Sequence, residues 1–123
     1  MIQPVRLHRS RAKGARLVSP NGLPIVCVTR PGPWGNPFEV VLMTEDGEKE
    51  LRGINSEYRC FTALEAVVRF TWFLRQVKVN GGGRMWACEI WDNLEELRGK
   101  NLACFCKIGE PCHADVLLKI ANE

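Results

Sequence analysis

The stretch that decides the fold lies near the C-terminus, where residues 101–121 have the sequence NLACFCKIGEPCHADVLLKIA. Its first six residues are mostly apolar and predict a short buried strand. A polar, glycine-containing loop follows, and Pro111 suits the first turn of a final helix. The apolar stripe of that helix is formed by Val116, Leu117 and Ile120. The stretch therefore predicts a strand, a loop and a helix that together carry three cysteines and a histidine.

Further strands are predicted upstream of this stretch. Residues 5–8 alternate weakly between apolar and polar, and residues 23–29 are a compact β-branched run typical of a buried strand. Residues 38–43 are predicted to pair with residues 49–52 as a hairpin, across the turn-forming residues between them. Four strands are therefore predicted before the helical part of the chain.

Two helices are predicted between these strands and the C-terminal stretch, near 57–79 and 84–98. Ser56 is a plausible N-cap for the first, and three consecutive glycines from Gly81 end it. Its apolar residues recur at helical spacing and predict a buried face of Phe61, Leu64, Val67, Val68 and Trp72. The second helix has a corresponding face of Trp86, Ile90, Leu94 and Leu97, with Trp91 beside it. Gly99 fits the position just beyond its C-terminal end.

The order of these elements predicts the fold class. Strands separated by helices favour a sheet that is at least partly parallel. The chain has 123 residues, 46% hydrophobic and 25% charged, which is an ordinary globular composition. A chain of this length suits one core better than two. We therefore predict a single domain over residues 1–123: a small three-layer α/β domain with a short, partly parallel sheet flanked by helices.

Composition also bounds the cellular setting. No apolar run approaches the roughly 20 residues that span a bilayer, and the N-terminus lacks the apolar core of a signal peptide. We therefore expect a cytoplasmic protein without membrane contact, of unknown oligomeric state. The six cysteines are then expected to be reduced, as core residues, metal ligands or reactive thiols.

The C-terminal cysteines and histidine have two functional interpretations. The first is a metal site of Cys104, Cys106, Cys112 and His113, because zinc takes thiolate and imidazole ligands tetrahedrally. Alternate residues of a strand share a face, so the first two thiols can point the same way. The adjacent Cys112 and His113 are instead expected to diverge at a helix start.

The second interpretation is a reactive thiol at Cys112. Free N–H groups in the first turn of a helix stabilise a thiolate, and His113 or Lys100 could move a proton or add positive charge. The same N–H groups could bind phosphate. A third interpretation treats the cluster as buried small hydrophobes, which we prefer for the isolated Cys27, Cys60 and Cys88.

A second candidate segment, residues 34–38, is called the Trp34 loop below; it contains Trp34, Gly35, Asn36, Pro37 and Phe38. It follows a predicted central strand, and ligands of open α/β sheets bind beyond the carboxyl ends of strands. Trp34 could stack a planar base, Asn36 could recognise its polar edge, and Arg30 could hold a phosphate. The alternative is a rigid turn that covers the sheet with Trp34 and Phe38.

Charge is unevenly distributed along the chain. The net charge is only +3, yet no Asp or Glu precedes residue 31. The basic and imidazole residues of that segment are Arg6, His8, Arg9, Arg11, Lys13, Arg16 and Arg30. Such a segment can contact phosphate, or it can be a solvated basic edge.

Two motifs resemble a known family. The first motif is Arg30-Pro31 with the Trp34 loop, and the second runs from Leu97 to Leu117 with its Cys-X-Cys and Pro-Cys-His-Ala-Asp elements. Together they resemble an uncharacterised phage and bacterial family, domain of unknown function 4326. The resemblance covers roughly residues 24–122. The tail is also similar to domain of unknown function 488, where Glu stands at the position of Cys106 while Cys104, Cys112 and His113 match. That second resemblance implies a functional site with an exchangeable Cys106, although Glu can also bind zinc.

These observations lead to one functional hypothesis and one alternative. The first is an enzyme-like domain that binds a nucleotide or nucleobase-type ligand between the Trp34 loop and the Cys112 helix, with Asp115 also predicted to contact the ligand. The phage setting implied by the resemblance suggests nucleotide or DNA-base metabolism. The alternative is a zinc-stabilised module that binds nucleic acid or protein without catalysis.

Overall fold

The computed structural model describes residues 2–30, 32–40 and 56–123. The strands in this part of the chain are β1 (Arg6–His8), β2 (Ile25–Cys27), β3 (Glu39–Val40), β4 (Arg59–Cys60) and β5 (Asn101–Cys104). The α-helices are α1 (Ala63–Asn80), α2 (Met85–Asp92) and α3 (His113–Ala121). Short 3₁₀ helices cover Ser56–Tyr58 and Leu94–Leu97.

The predicted parallel sheet is present, with the C-terminal strand at its centre. The strand order is β1-β5-β2, and both pairs are parallel. All four residues of β5 are buried, as expected for a central strand between two neighbours. The predicted mixed α/β class with a short parallel sheet is confirmed. Because the strands are parallel, their carboxyl ends all lie at one edge.

A second, two-stranded sheet pairs β3 with β4 in parallel. Residues 39–40 of the strand predicted over 38–43 are therefore confirmed, and residues 41–43 lie outside the described residues. Its expected hairpin partner, residues 49–52, lies outside the described residues.

Helix α1 begins later than the sequence predicts. The predicted cap, Ser56, lies in a 3₁₀ helix, and the N-cap is Thr62, whose Oγ1 accepts from the Glu65 N–H at 3.1 Å. The Glu65 carboxylate in turn accepts from the Phe61 N–H at 2.9 Å, a reciprocal pair related to the capping box. At the other end Gly81 adopts a left-handed conformation (φ 73°), so the predicted C-terminal boundary is confirmed.

The buried face of α1 is not the predicted one. The buried residues are Ala66, Phe70 and Leu74. The predicted face is largely exposed: the exposed fractions are Phe61 71%, Leu64 59%, Val68 57% and Trp72 55%. Apolar residues occupy more than one side of this helix, so spacing alone does not select the covered side. Packing selects it: the Phe70 ring stacks on Trp86 at 5.5 Å between centroids.

The predicted inward face of the next helical segment is confirmed. Ile90 and Leu97 are buried, and the Trp91 indole donates to the Leu74 carbonyl at 2.8 Å. The prediction of one continuous helix to residue 98 is wrong, because α2 ends at Asp92 and a 3₁₀ turn follows. Gly99 (φ 72°) lies two residues beyond that turn, in the left-handed region expected of it.

The amino end of β5 is fastened by a buried asparagine. Asn101 accepts from the Val5 N–H at 3.0 Å and exchanges two amide hydrogen bonds with Asn21, at 2.8 and 3.2 Å. Its amide also donates to the Ser19 hydroxyl at 3.2 Å. A fully buried amide is costly unless paired, and here it ties the segment before β2 to the central strand.

Among the described helices, none combines the length and hydropathy that crossing a membrane requires.

Candidate functional site

The candidate site lies at the carboxyl edge of the sheet, where the segments that follow β1, β2 and β5 converge. A cavity of about 320 Å³ opens there. Its lining includes Asn36 and Phe38 of the Trp34 loop together with Cys104, Cys112 and His113. The expectation that the two motifs meet beyond adjacent parallel strands is therefore confirmed, and it follows from the pairing of β2 with β5.

Three thiols form a compact cluster on one wall of this cavity. Cys104 ends β5, Cys106 lies two residues later, and Cys112 is the N-cap of α3. The three sulfur atoms all lie within 4.8 Å of one another, and those of Cys104 and Cys106 are 3.8 Å apart. Thiols this close could hold a metal ion. The strand ends at Cys104 rather than at Cys106 as predicted, so a bend after β5, and not strand alternation, places Cys106 beside Cys104. The return of the loop to the helix start brings Cys112 to the cluster, as the sequence predicted.

His113 also faces the cluster, contrary to the expected divergence. Its Nδ1 lies 3.9 Å from the Cys112 sulfur, while its Nε2 lies 2.7 Å from the Val28 carbonyl oxygen. A carbonyl oxygen only accepts, so Nε2 carries a proton and donates it to Val28, while Nδ1 faces the cysteine side. The Cys112 N-cap is extended (φ −150°), and this non-helical residue turns its side chain toward the same side as the next one.

The donor set fits zinc. A tetrahedral site with Zn–S bonds of about 2.3 Å has sulfur–sulfur edges of about 3.8 Å, which matches the Cys104–Cys106 separation. Histidines that bind metal commonly donate the other ring N–H to a carbonyl, as His113 does to Val28. Among the described residues, the possible ligand atoms that lie within 4.8 Å of one another are the three thiol sulfurs. His113 is not in this group and lies at its margin.

The thiols strongly influence one another's ionisation. Hydrogen bonds from Cys106 and Cys112 to the Cys104 sulfur stabilise its thiolate and hold the pKa of Cys104 far below its usual range. Cys106 and Cys112 donate these hydrogen bonds, and donation to Cys104 raises their own pKa values. The pKa lowering expected for Cys112 at a helix start is therefore wrong, because its thiol is buried and donates to Cys104. Its position as N-cap also places it before the first turn.

Arg6 fastens the loop that connects the cysteines. Its buried guanidinium donates to the Lys107 and Glu110 carbonyls, each at 2.9 Å, and to the Asp115 carboxylate at 2.8 Å. His8 adds a contact at 3.1 Å between its Nδ1 and the Cys106 carbonyl oxygen. Sequence analysis missed this role, because partners about one hundred residues apart leave no local signal.

The predicted ligand-binding residues separate into two groups. Arg30 and Asn36 line the cavity, whereas Trp34 and Asp115 do not. Trp34 is buried in the hydrophobic core. This agrees with the alternative interpretation of the loop, a rigid turn that covers the sheet. Asp115 instead pairs with Arg6, which fastens the loop that connects the cysteines.

Asn36, the polar residue of the Trp34 loop, makes two hydrogen bonds that account for its presence there. Its amide donates to the Ala66 carbonyl of α1 at 3.2 Å, and its oxygen accepts from the Phe38 N–H at 2.9 Å. These bonds hold the loop against α1. Within the described residues, these bonds leave one amide hydrogen and one oxygen lone pair of this cavity-lining residue without a partner.

Lys100 is far from the predicted thiol partner. It precedes β5, while Cys104 ends that strand, so roughly 13 Å of extended chain separates them. Among the described residues, neither the cavity lining nor the thiol cluster includes Lys100. The expected proximity to Cys112 is wrong, since a parallel strand carries its two ends to opposite edges of the sheet.

The isolated cysteines differ from the expected buried set. Cys60 is buried, but Cys88 is half-buried and Cys27 is exposed. Within the described residues β2 pairs with β5 alone, so the strand predicted to be central lies at an edge of the sheet, and its Cys27 side chain is exposed. The core interpretation therefore applies to Cys60 alone.

The basic N-terminal segment folds against the site. The Arg9 backbone N–H donates to the Cys104 carbonyl at 2.7 Å, and its guanidinium donates to the Thr29 hydroxyl at 3.1 Å. The Arg11 guanidinium carbon lies 3.7 Å from the centroid of the Phe105 ring. The segment therefore contributes cationic side chains to the cavity rather than extending away as an arm.

Comparison with known proteins assigns the chain to a family. The model of domain of unknown function 4326 matches residues 7–123, nearly the whole chain, so this protein belongs to that family. The match covers both the Trp34 loop and the thiol cluster. Neither the curated proteins nor the solved structures contain a match to the chain.

Proposed function

We propose that this protein is a zinc-containing, enzyme-like domain that binds a nucleotide or nucleobase-type ligand in the cavity between the Trp34 loop and α3. One observation carries the proposal: the thiols that could hold a metal also form a wall of the cavity. A purely structural metal needs no such cavity, whereas a metal at a ligand site commonly lies at the edge of one.

Zinc is favoured over other metals by the ligands. Three thiolates with an imidazole at the margin form a soft donor set of the kind that selects zinc. His113 lies beside the cluster rather than within it. The fourth ligand position of the metal can therefore be taken either by the His113 Nδ1 or by a group from the cavity. The His113 hydrogen bond to Val28 keeps the ring in the orientation that the first alternative needs.

The remaining walls of the cavity suit a planar organic molecule. Phe38, Val40, Ala66 and Val67 provide an apolar surface on the side of α1 and β3. Asn36 and Thr29 provide polar atoms that could orient a base by its edge. A mostly apolar lining with a few converging polar groups is typical of small-molecule sites, and 320 Å³ lies near the lower end of their volume range.

The alternative is a zinc-stabilised module that binds nucleic acid or protein without catalysis, and its nucleic-acid form has less support. Such a module would use the basic segment as a free contact surface. Instead, the structure engages Arg6 with the metal-binding loop and Arg9 with Thr29, which leaves fewer cations for a phosphate backbone. A role in phage nucleotide or DNA-base metabolism belongs to the leading proposal as its biological setting.

The metal half of the proposal is tested by elemental analysis of protein purified without chelator. We expect about one zinc per chain. Cys104→Ser should abolish it, with Cys27→Ser, at an exposed cysteine outside the cluster, as the matched control. A stably folded wild-type protein free of metal would contradict this half.

The ligand half is tested by calorimetric titration of zinc-loaded protein with the four 2′-deoxynucleosides and their 5′-monophosphates. We expect binding of at least one compound, and loss of that binding in Val67→Trp, which fills the cavity from α1. Val79→Trp, at an exposed position of the same helix, is the control. Failure of every compound to bind would reject this half.

A further inference from the structure

We propose that the ligand of this cavity carries a phosphate monoester, held at the rim by the guanidinium groups of Arg11 and Arg30. This inference rests on the proposed function, because it names the class of molecule that the cavity binds. It assigns the site to a nucleotide rather than to a free base or nucleoside. It also gives Arg11 a role in affinity that no local sequence motif indicates.

The charge of the cavity is the first argument. Among the described residues that line it, the charged side chains are Arg11 and Arg30, and no carboxylate is present. Only Arg30 of the two has a carboxylate partner in the described part of the chain, Glu39, which lies outside the lining, so the rim keeps an excess of positive charge that favours anionic ligands. An uncharged base would leave the Arg11 guanidinium without an anionic partner.

Arg11 is held in place without being neutralised. Its guanidinium carbon lies 3.7 Å from the centre of the Phe105 ring, a cation–π contact that fixes the group by its face. Within the part of the chain that the structure describes, no carboxylate pairs with Arg11. Stacking uses the face of the guanidinium and leaves the N–H groups of its edge free to donate to phosphate oxygens.

Arg30 is positioned by the Trp34 loop. A Cβ at Gly35 would lie 2.7 Å from the Arg30 Cγ and 3.0 Å from its Cα, so only glycine lets the loop pass this closely over the arginine. The guanidinium forms an ion pair with Glu39 at 2.9 Å, and about half of the side chain remains exposed. One edge is therefore oriented by Glu39 while other N–H groups stay available at the rim.

The geometry favours a mononucleotide over a nucleic-acid strand. A phosphate monoester is a terminal dianion, and two forked guanidinium groups match its oxygens by charge and by bidentate geometry. A strand would need a continuous line of cations, but Arg6 and Arg9 are already bound within the domain. The cavity also offers space for one base, between the apolar wall and the thiols.

The test compares each 2′-deoxynucleoside 5′-monophosphate with its nucleoside, using zinc-loaded wild type, Arg11→Ala and Arg16→Ala. We expect the monophosphate to bind at least about tenfold more tightly than the nucleoside, and Arg11→Ala to remove most of that difference. Arg16→Ala is the matched control, since Arg16 is an exposed residue of the same segment that does not line the cavity. Unchanged zinc content and near-ultraviolet circular dichroism would show that the variants are folded.

The outcomes separate this inference from the proposed function. Equal binding of nucleoside and monophosphate would overturn the phosphate assignment and leave the proposed function standing. Tighter binding of a single-stranded oligonucleotide than of any mononucleotide, with a steep salt dependence, would overturn it in favour of a nucleic-acid surface. A titration in which no compound binds would reject the ligand half of the proposed function as well.

Discussion

The C-terminal motif, residues 101–121, and helix α1 are both rich in apolar residues, yet their sequences differ in what they predict. The motif forms the strand, loop, helix and thiol cluster that its spacing indicates. Helix α1 is also a helix, but it buries a different face from the one that its apolar spacing indicates. Local chemistry was therefore more informative than local hydrophobicity.

The reason lies in how many alternatives each pattern allows. Cysteines two apart at the end of a strand, followed by a loop of five residues and a helix start, have few ways to be arranged. Helix α1 has apolar residues on several sides, so at least two stripes satisfy the same period. The choice between these stripes depends on Trp86 and His113, which pack on Phe70 from other parts of the chain.

The largest expected effect concerns the motif. Cys112→Ser should lower the melting temperature of the zinc-loaded protein by at least about 10 °C, because binding energy of a metal at a site formed on folding is also folding energy. Cys27→Ser, at an exposed position, should leave the melt almost unchanged. Differential scanning calorimetry with and without a chelator measures both.

A chelator should shift the wild-type melt toward that of Cys112→Ser and leave the variant itself unaffected. An unchanged melt for Cys112→Ser would remove the contrast between the two regions, since the cluster would then contribute no more than isolated cysteines do.

A smaller effect should distinguish the two faces of α1. Phe70→Ala, on the buried face, should lower the free energy of unfolding by about 3–5 kcal/mol, because it leaves a cavity beside Trp86. Val68→Ala, on the apolar but exposed face, should change it by no more than about 0.5 kcal/mol. Urea denaturation of the two variants gives both values. Comparable losses would mean that the Val68 face is covered in the folded protein.

The smallest effect concerns the start of α1. Thr62→Ala removes the hydroxyl that accepts from the Glu65 N–H and should cost about 1 kcal/mol of unfolding free energy. Thr62→Ser keeps the hydroxyl and should recover most of that loss. The same urea titrations suffice, and a neutral Thr62→Ala would instead favour an earlier helix start near the predicted Ser56.

The sequence by itself determined the α/β class, the family, and the grouping of Cys104, Cys106 and Cys112 on one wall, because these depend on periodicity and on short-range spacing. It also placed the end of α1 at Gly81 and a left-handed residue at Gly99, where only the local backbone conformation matters. The thiol grouping and the two glycine positions are each decided within about ten consecutive residues, whereas the class and the family follow from the order of elements and motifs along the chain.

Tertiary structure alone decided the rest. It separated Lys100 from the thiols by the length of a strand, directed Trp34 into the core, and turned His113 toward the cluster through a hydrogen bond to Val28. It also brought Arg6 to a loop about a hundred residues away. Contacts between distant segments depend on which faces pack together, and that choice lowers the free energy of the whole chain rather than of any one segment.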